Sequence, residues 1–488
     1  MNLSKSRYCS GIQCRKMLWM AKNKSEYYDS KVMREDLLTT GNNVGDLAMG
    51  YYGNYVEVAY ADDKSLMIAE TRKLLQAGAS TIAEASFAYD GNFCSVDILR
   101  VFGDGVEIVE VKSATSLKDI YLDDIAYQCW VVSNCGLNVR CVYLMCLNSQ
   151  YSRQGELELD KLFSLIDCSR LVFPKLDKVE RNVKEIRAFA DAQLEPYWDI
   201  GKYCNDPYEC GYKQWCWRHL PENNVFDIRG RLNKFDLYYD GTVTMDDVLK
   251  NKVALNAKQQ TQVETEIHEL AAKIDIAAIR AFLQTLSYPM YFLDFETYMP
   301  AIPDFDGVRP YMQIPFQYSL HIKESQDSEL KHREFLAKEG SDPRWAIAES
   351  LCKDIPENAC TIAFNMAFEK ARLKELAEVI PDLNKHLMSI HDNMKDLMLP
   401  FYKQWYYCRE LRGSYSIKQV LPALCPDNPE LDYHKLDGIH DGGEAMTAFP
   451  ALVGKAQEEI EKIRQELLNY CCLDTLAMVR IWEKLKEI

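Results

Sequence analysis

The sequence predicts an α/β protein of two or more domains, on three observations. The chain has 488 residues, beyond the size at which one hydrophobic core keeps growing. Near residues 91–113, NFCSVDILRVFGDGVEIVEVKS alternates apolar and polar residues around Gly103-Asp104-Gly105, the signature of a β-hairpin. Further on, helical periodicity from about Asn256 to Leu286 gives way after Pro289 to the apolar strand MYFLDFE. Hydrophobic residues are 48% and charged residues 27%, close to the soluble globular average, which excludes disordered, collagenous and membrane classes. The opening MNLSKSRYCSGIQCRKMLWM has no uninterrupted apolar run and reads as neither signal nor anchor, and no stretch is long enough to span a bilayer. Seventeen cysteines in a long chain of this kind point to free thiols in a reducing cytosol, some of them binding metal.

Taken in order, the hairpin sets Asp97 on its first strand and Glu110-Val111-Lys112 on its second, where alternation puts Glu110 and Lys112 on one face. Glu84 lies on the preceding strand, IAEASFAYD. LDDIAYQCWVVSNCG is helical and carries Gln128, and VRCVYLMCL is another buried strand. Cys204, Cys210 and Cys216 cluster in YCNDPYECGYKQWCW, with Cys14 and Cys9 far upstream. The expected division is 1–221, a helical connector over 222–286, and 287–488, ending in a long helix from about Gln457 to Lys486. No G-x-x-x-x-G-K-[ST] loop or internal repeat is present, so nothing points to an ATP-driven motor.

In MYFLDFET, Asp294 and Glu296 are two residues apart and project from one face of the strand. Tyr470 and Asp474 stand four apart in a helical pattern, again on one face. Between them, Phe364-Asn365-Met366-Ala367-Phe368-Glu369 opens a helix with a further acid. In-line attack of water on a phosphodiester uses two cations about 4 Å apart, and hard cations want carboxylate oxygens. Four acids suffice, and a tyrosine one turn from a ligand can orient the attacking water.

These motifs resemble those of the DEDD superfamily of exonucleases, tyrosine subclass, over about Ser287 to Ile488. The resemblance implies a ribonuclease H-like fold, Mg²⁺ or Mn²⁺, and removal of nucleotides from 3′ ends. It assigns Asp294 and Glu296 to the first motif, Glu369 to the second, and Asp474 with Tyr470 to the third. The second motif usually supplies aspartate, so either Glu369 takes that place or Asp396 in HDNMKDLM contributes.

The N-terminal hairpin resembles the PD-(D/E)XK nucleases of the RecB-like group, which implies cation binding by Asp97 and Glu110, with Glu84 a further candidate. Lys112 would stabilise phosphate charge or help position water, and Gln128 would lie near substrate. The cysteine pattern is similar to that of the iron–sulfur members of this group, among them a CRISPR-adaptation family and the nuclease domain of AddAB-type helicases. One early cysteine, Cys14 or Cys9, and the three late ones would then hold a [4Fe–4S] cluster. Zinc and buried free thiols are the alternatives, although C-x5-C-x5-C is looser than a zinc knuckle. The group often has a histidine after a glycine where Gly45 and Asp46 stand, and a tyrosine after the glutamine where Val132 stands.

The whole then reads as a two-centred nuclease that trims or degrades DNA in repair, recombination or defence, with single-stranded DNA or DNA ends as partner. An RNA-trimming exonuclease and a noncatalytic nucleic-acid-binding scaffold are the alternatives. The net charge of -16 argues against broad nonspecific attraction to nucleic acid, leaving contacts to local basic segments such as Lys5, Arg7, Arg15 and Lys16. Trp215, Trp217, Tyr208 and Tyr212 either stack on bases or pack around the cysteines.

Overall fold

The computed structural model describes residues 1–32, 35–428, 431 and 433–488. The chain forms two compact units, one of Met1–His219 with Pro300–Tyr311, the other of Leu220–Met299 with Met312–Ile488. Both are mixed α/β. Residues 222–286 fall within the second unit. No helix is long and apolar enough to cross a membrane among the described residues.

The first unit is built on a seven-stranded sheet. Its order is Val56–Glu57, Thr81–Tyr89, Asn92–Phe102, Gly105–Lys112, Val139–Leu147, Phe163–Asp167, with Leu3–Ser4 added parallel to Asn92–Phe102. Thr81–Tyr89, Asn92–Phe102 and Gly105–Lys112 form an antiparallel meander, and the helix Asp119–Asn134 crosses over to Val139–Leu147, which runs parallel to its neighbour. One face packs against the helices Lys5–Gln13, Asp119–Asn134 and Leu176–Ala190 through residues such as Tyr8, Ile125 and Ile186. The other packs against Glu35–Met49 through Val44 and Ala48.

Strict alternation fails at one place on this sheet. Ile82 and Ala85 are three residues apart yet join the same core, and so do Val96 and Leu99 on the facing strand. Between them Glu84 has φ of 55°, a left-handed conformation that costs a residue bearing a Cβ about 1–3 kcal/mol. Such irregularities re-aim side chains beside functional sites. Here the side chains affected are those of Glu84 and Asp97.

The second unit has a five-stranded sheet ordered Leu330–Leu336, Ile314–Lys323, Met290–Tyr298, Cys360–Ala363, Met394–Asp396. Ile314–Lys323 runs antiparallel to both neighbours, and the last two strands run parallel to Met290–Tyr298. Met290–Tyr298 is therefore the central strand. Its Tyr291, Leu293 and Phe295 enter a core with Ile347, Leu351, Leu373, Leu376, Leu387 and Ile390. Its other face meets the terminal helix Gln457–Lys486, with the Phe292 and Trp482 ring centroids 5.9 Å apart.

The helical run expected from Asn256 to Leu286 is broken. Ala257–His268 ends at Glu269, which adopts φ 49° as a left-handed cap, and a second helix starts at Ile276 behind the N-cap Asp275. Lys273–Ile274 between them pairs with Tyr406–Tyr407. Caps, which interrupt a period without changing composition, end the first helix here.

Candidate functional site

In the first unit the register sets Ala83 opposite Ile98 and Ile98 opposite Val109, so Glu84, Asp97 and Glu110 lie in one row across three strands. They line a pocket of about 290 Å³ together with Lys5, Lys112, Gly45 and Asp46. Lys112 Nζ lies 2.5 Å from Glu110 Oε1 and 2.8 Å from Asp124 Oδ2. Lys5 Nζ lies 2.9 Å from Glu110 Oε1 and 3.6 Å from Asp97 Oδ1. The Val111 amide donates to Asp97 at 2.7 Å. Gln128 is fully buried and does not line the pocket; its amide donates to Glu110 at 2.6 Å and to Asp124 at 3.1 Å, orienting both. Val132 lies in the hydrophobic core, and Gly45 has open space where a Cβ would sit.

The electrostatics follow from this wiring. Burial opposes ionisation of Glu110, but Lys112 and Lys5, with hydrogen bonds from Lys112 and Gln128, outweigh it and hold the carboxyl well below its usual range. Asp97 is pushed up to about 6 by burial and by the Glu110 charge. Glu84 is raised to about 7 by burial and by Asp97. Two lysines thus compensate much of the acid charge from within the protein. Lys5 and Asp124 complete this centre; neither lies in the E-x-K pattern, and only the i,i+4 spacing of Asp124 and Gln128 on one helix gave a signal.

The four cysteines divide from Cys9 by their surroundings. Burial pushes the Cys14 thiol up to about 12, and Cys210, Cys204 and Cys216 act on it in the same direction. Cys9, also raised by burial, feels Asp124, Lys112, Lys5 and Glu110 instead, and packs against the core of the first unit. Gln13, beside Cys14, ties the first helix to the late cysteines by donating to the carbonyls of Tyr203 at 2.8 Å and Tyr208 at 2.6 Å. One ligand atom each of Asp294, Glu296 and Cys471, in the second unit, lies within 4.8 Å of the others. Tyr212 is buried with Trp19 and Met20, and Trp215 lies 4.0 Å from Tyr27, so these two rings pack; Tyr208 is exposed.

In the second unit Asp294 and Glu296 leave the central strand on the side of the terminal helix, which presents Tyr470, Cys471 and Asp474. Glu369 arrives from the third position of the helix Ala367–Val379. All four acids and Tyr470 line one open pocket of about 330 Å³. The turn before Glu369 is set by Asn365, whose φ is 74°, and its amide donates to Asp396 Oδ1 at 3.0 Å. Asp396 Oδ1 also accepts from the Met398 amide at 3.0 Å and is not among the pocket-lining residues. Asp396 therefore supports the turn, while Glu369 supplies the carboxyl.

Charge here is poorly compensated. Asp294 is held well above its ordinary range by burial and by Asp474, Glu296 and Glu369. Glu296 is raised by burial and Asp474, with Lys418 acting against. Glu369 is pushed up to about 8 by burial and then by Asp396, and its Oε2 is buried without a hydrogen-bond partner. Asp474 rises to about 6 through burial, limited by hydrogen bonds from Tyr433 and Tyr470; the Tyr433 hydroxyl stands 2.5 Å from Oδ1. Lys418 and Tyr433 carried no sequence signal, coming from a short helix and a single helical turn with no motif. Gly442 sits where a Cβ would lie 3.6 Å from Glu296 Oε2 and 4.0 Å from Tyr470 Oη, which keeps the pocket clear.

A larger groove of about 670 Å³ shares Phe364, Asn365 and Ile417 with this pocket. Arg229, Lys258, Tyr402 and Tyr415 line it, with Lys258 Nζ 3.4 Å from the Tyr402 ring centroid and 5.6 Å from that of Tyr415. Cations and aromatic rings thus adjoin the acids.

Comparison with known proteins agrees in placing similarity on parts of the chain. The chain is 31% identical over 239 residues to "Uncharacterized protein UU173" of Ureaplasma parvum serovar 3, covering 44% of this chain and 32% of that one. It is 28% identical over 211 residues to "Uncharacterized protein MG366" of Mycoplasma genitalium, covering 39% and 31%. The chain thus spans about a third of the length of these curated relatives. No solved structure matches. The family model described as "Domain of unknown function (DUF2779)" matches residues 291–416, a stretch that begins on the central strand and includes Asp294, Glu296 and Glu369.

Proposed function

We propose that the chain is a metal-dependent nuclease with two centres, the C-terminal one a 3′–5′ exonuclease of the two-metal kind, acting on DNA in repair, recombination or defence. The observation that carries this reading is the meeting of Asp294, Glu296, Glu369 and Asp474, from three separate stretches of chain, in one open pocket where Lys418 and Arg372 offset only part of the acid charge. Acids so placed repel one another and resist ionisation unless cations join them. The donor set fits Mg²⁺ or Mn²⁺, which favour carboxylate oxygen. Bound there, such ions activate water and stabilise the leaving oxygen of a phosphodiester.

The residues around the acids divide the remaining work. Tyr433 and Tyr470 hold Asp474 between two phenols, which fixes its oxygens. Tyr470 stands at the pocket wall, where its hydroxyl can orient the attacking water. Lys258 and Arg229 suit backbone phosphates in the adjoining groove, and Tyr402 and Tyr415 suit stacked bases, the combination that single strands require. An acid pair on the central strand of a mixed sheet supports a ribonuclease H-like reading of the second unit. The helix, three-strand meander, helix, strand run around Glu84, Asp97, Glu110 and Lys112 supports a PD-(D/E)XK reading of the first.

Cys14, Cys204, Cys210 and Cys216 would hold a [4Fe–4S] cluster as a staple between the first helix and the late loop, which Gln13 already ties together, with zinc as the alternative occupant.

The test is digestion of end-labelled single-stranded DNA and RNA with Mn²⁺ or Mg²⁺ by the wild type, Asp294→Ala, Lys112→Ala and the double variant. Activity lost in Asp294→Ala and altered only in pattern by Lys112→Ala is the expected result. A wild-type chain that cuts neither polymer with either metal overturns the proposal in favour of a binding scaffold.

A further inference from the structure

The terminal helix carries two adjacent cysteines, and the structure sends them to different places. Cys471 faces Asp294, with Sγ 3.8 Å from Oδ2. Cys472, about 100° further round the helix, joins His321 and His332, and one ligand atom from each of the three lies within 4.8 Å of the others. The two histidines are direct cross-strand partners, with ring centroids 4.6 Å apart. Glu334, two residues beyond His332 on the same strand face, has Oε2 4.0 Å from His332 Nε2, and its charge acts on the Cys472 thiol.

We propose that His321, His332 and Cys472 form a second metal site, distinct from the acid cluster, that takes zinc, with Glu334 or water as the fourth ligand. Two imidazoles, a thiolate and a carboxylate are a donor set zinc accepts and Mg²⁺ does not. The surroundings fix the rings as zinc sites require. His321 Nδ1 lies 2.7 Å from the Thr475 hydroxyl, His332 Nε2 lies 2.9 Å from that of Ser319, and the two hydroxyls are 2.6 Å apart. On binding, the Cys472 thiol gives its proton to solvent, its sulfur forms the bond to zinc, and no redox change is involved.

The site has a structural consequence for the acid pocket. Thr475 and Cys472 are on the helix that bears Tyr470 and Asp474, while Ser319 is the cross-strand partner of Asp294. Zinc would pin this helix to the strands Ile314–Lys323 and Leu330–Leu336, setting its register against the central strand. The proposal does not depend on the nuclease reading, since a nonhydrolytic protein would be braced in the same way.

The experiment is metal analysis and Co²⁺ titration of the full chain, anaerobically purified and chelator-treated, beside Cys472→Ser, His332→Ala and Thr475→Val. Wild type is expected to bind one more equivalent of zinc than Cys472→Ser or His332→Ala. It is also expected to show a thiolate-to-Co²⁺ charge-transfer band and tetrahedral visible bands that both variants lack. Thr475→Val should weaken binding roughly 10–100-fold. Cys216→Ser, which alters the other cysteine group, should leave the His332-dependent increment intact. The His332 side chain is 28% exposed, so its replacement tests the site even if Cys472→Ser fails to fold. Equal metal content and identical Co²⁺ spectra in wild type and His332→Ala would reduce the cluster to a hydrogen-bonded packing feature and overturn the proposal.

Discussion

Replacing Glu369 by glutamine is expected to stabilise the metal-free chain while abolishing the proposed nuclease activity. The Glu369 carboxyl is held near 8 instead of its ordinary 4.5 by burial and by Asp396. At about 1.36 kcal/mol per tenfold change in acidity, that corresponds to an upper bound of about 5 kcal/mol at pH 8. Side-chain relaxation and water entry reduce it, so roughly 1–3 kcal/mol is expected, within the ordinary range for single substitutions. Below about pH 4.5 the carboxyl is protonated in both folded and unfolded chains, and the substitution is silent. As pH rises toward 8 the unfolded chain ionises while the folded one does not, and wild type loses stability that the glutamine variant keeps. With about 2–4 °C per kcal/mol for a domain of this size, the variant should melt roughly 2–12 °C higher at pH 8 and level with wild type at pH 4.5. Differential scanning fluorimetry with chelator, then with Mn²⁺, provides the assay. Mn²⁺ should raise the wild-type midpoint and raise the variant's less. A variant that melts below wild type at pH 8 without metal would show that the pocket's charge is already balanced, and the argument for a cation site would collapse.

Three further outcomes follow from the geometry. Gly45→His places an imidazole in open space beside Asp97 and Glu110, and in an Asp294→Ala background it should tighten Mn²⁺ binding on the order of tenfold; unchanged calorimetric affinity counts against a cation at this centre. Cys14→Ser should remove the broad band near 400 nm expected of an iron–sulfur protein, whereas Cys9→Ser, at a side chain packed against the core and away from the late cysteines' influence, should retain it; the opposite pattern would reverse the ligand assignment. Lys258→Ala and Tyr415→Ala should each weaken single-strand binding measured by fluorescence anisotropy, the tyrosine by about 1–3 kcal/mol and the lysine with a salt slope shallower by about 1, and unaltered binding would take the strand out of this groove.

The parts of the molecule legible in the sequence were those encoded by local periodicity. The hairpin around Gly103-Asp104, the Asp294/Glu296 pair on one strand face and the helix Gln457–Lys486 each follow from alternation or helical spacing within a few residues. What escaped depends on long-range closure. Lys418 and Tyr433 reach the acids from segments with no period of their own. Asp396 reads as a spare ligand in sequence because its role, accepting two backbone amides, exists only once the strand Met394–Asp396 lies beside Cys360–Ala363. Gln128 reads as a substrate contact, yet its full burial against Glu110 and Asp124 makes it a support for other side chains. His321, His332 and Cys472 are separated by up to a third of the chain, so no spacing rule gathers them.

The stretch Pro300–Tyr311, which belongs to the first unit, carries a consequence for synthesis. Within that unit Arg153 donates to the Pro303 carbonyl at 2.9 Å, the Gly155 amide donates to Asp306 at 2.7 Å, and the Tyr311 hydroxyl donates to the carbonyl of Ser113, which lines the acid–lysine pocket. A ribosome that has finished residue 219 has therefore not finished the unit, and the missing piece emerges about 90 residues later. At about 5–20 residues per second the nascent first unit waits on the order of 5–20 s for its last segment, with the partners of Arg153 and Ser113 not yet made. Release of the chain by truncation anywhere between 220 and 299 makes that wait permanent, so such fragments should be more protease-sensitive around Arg153 than the full chain.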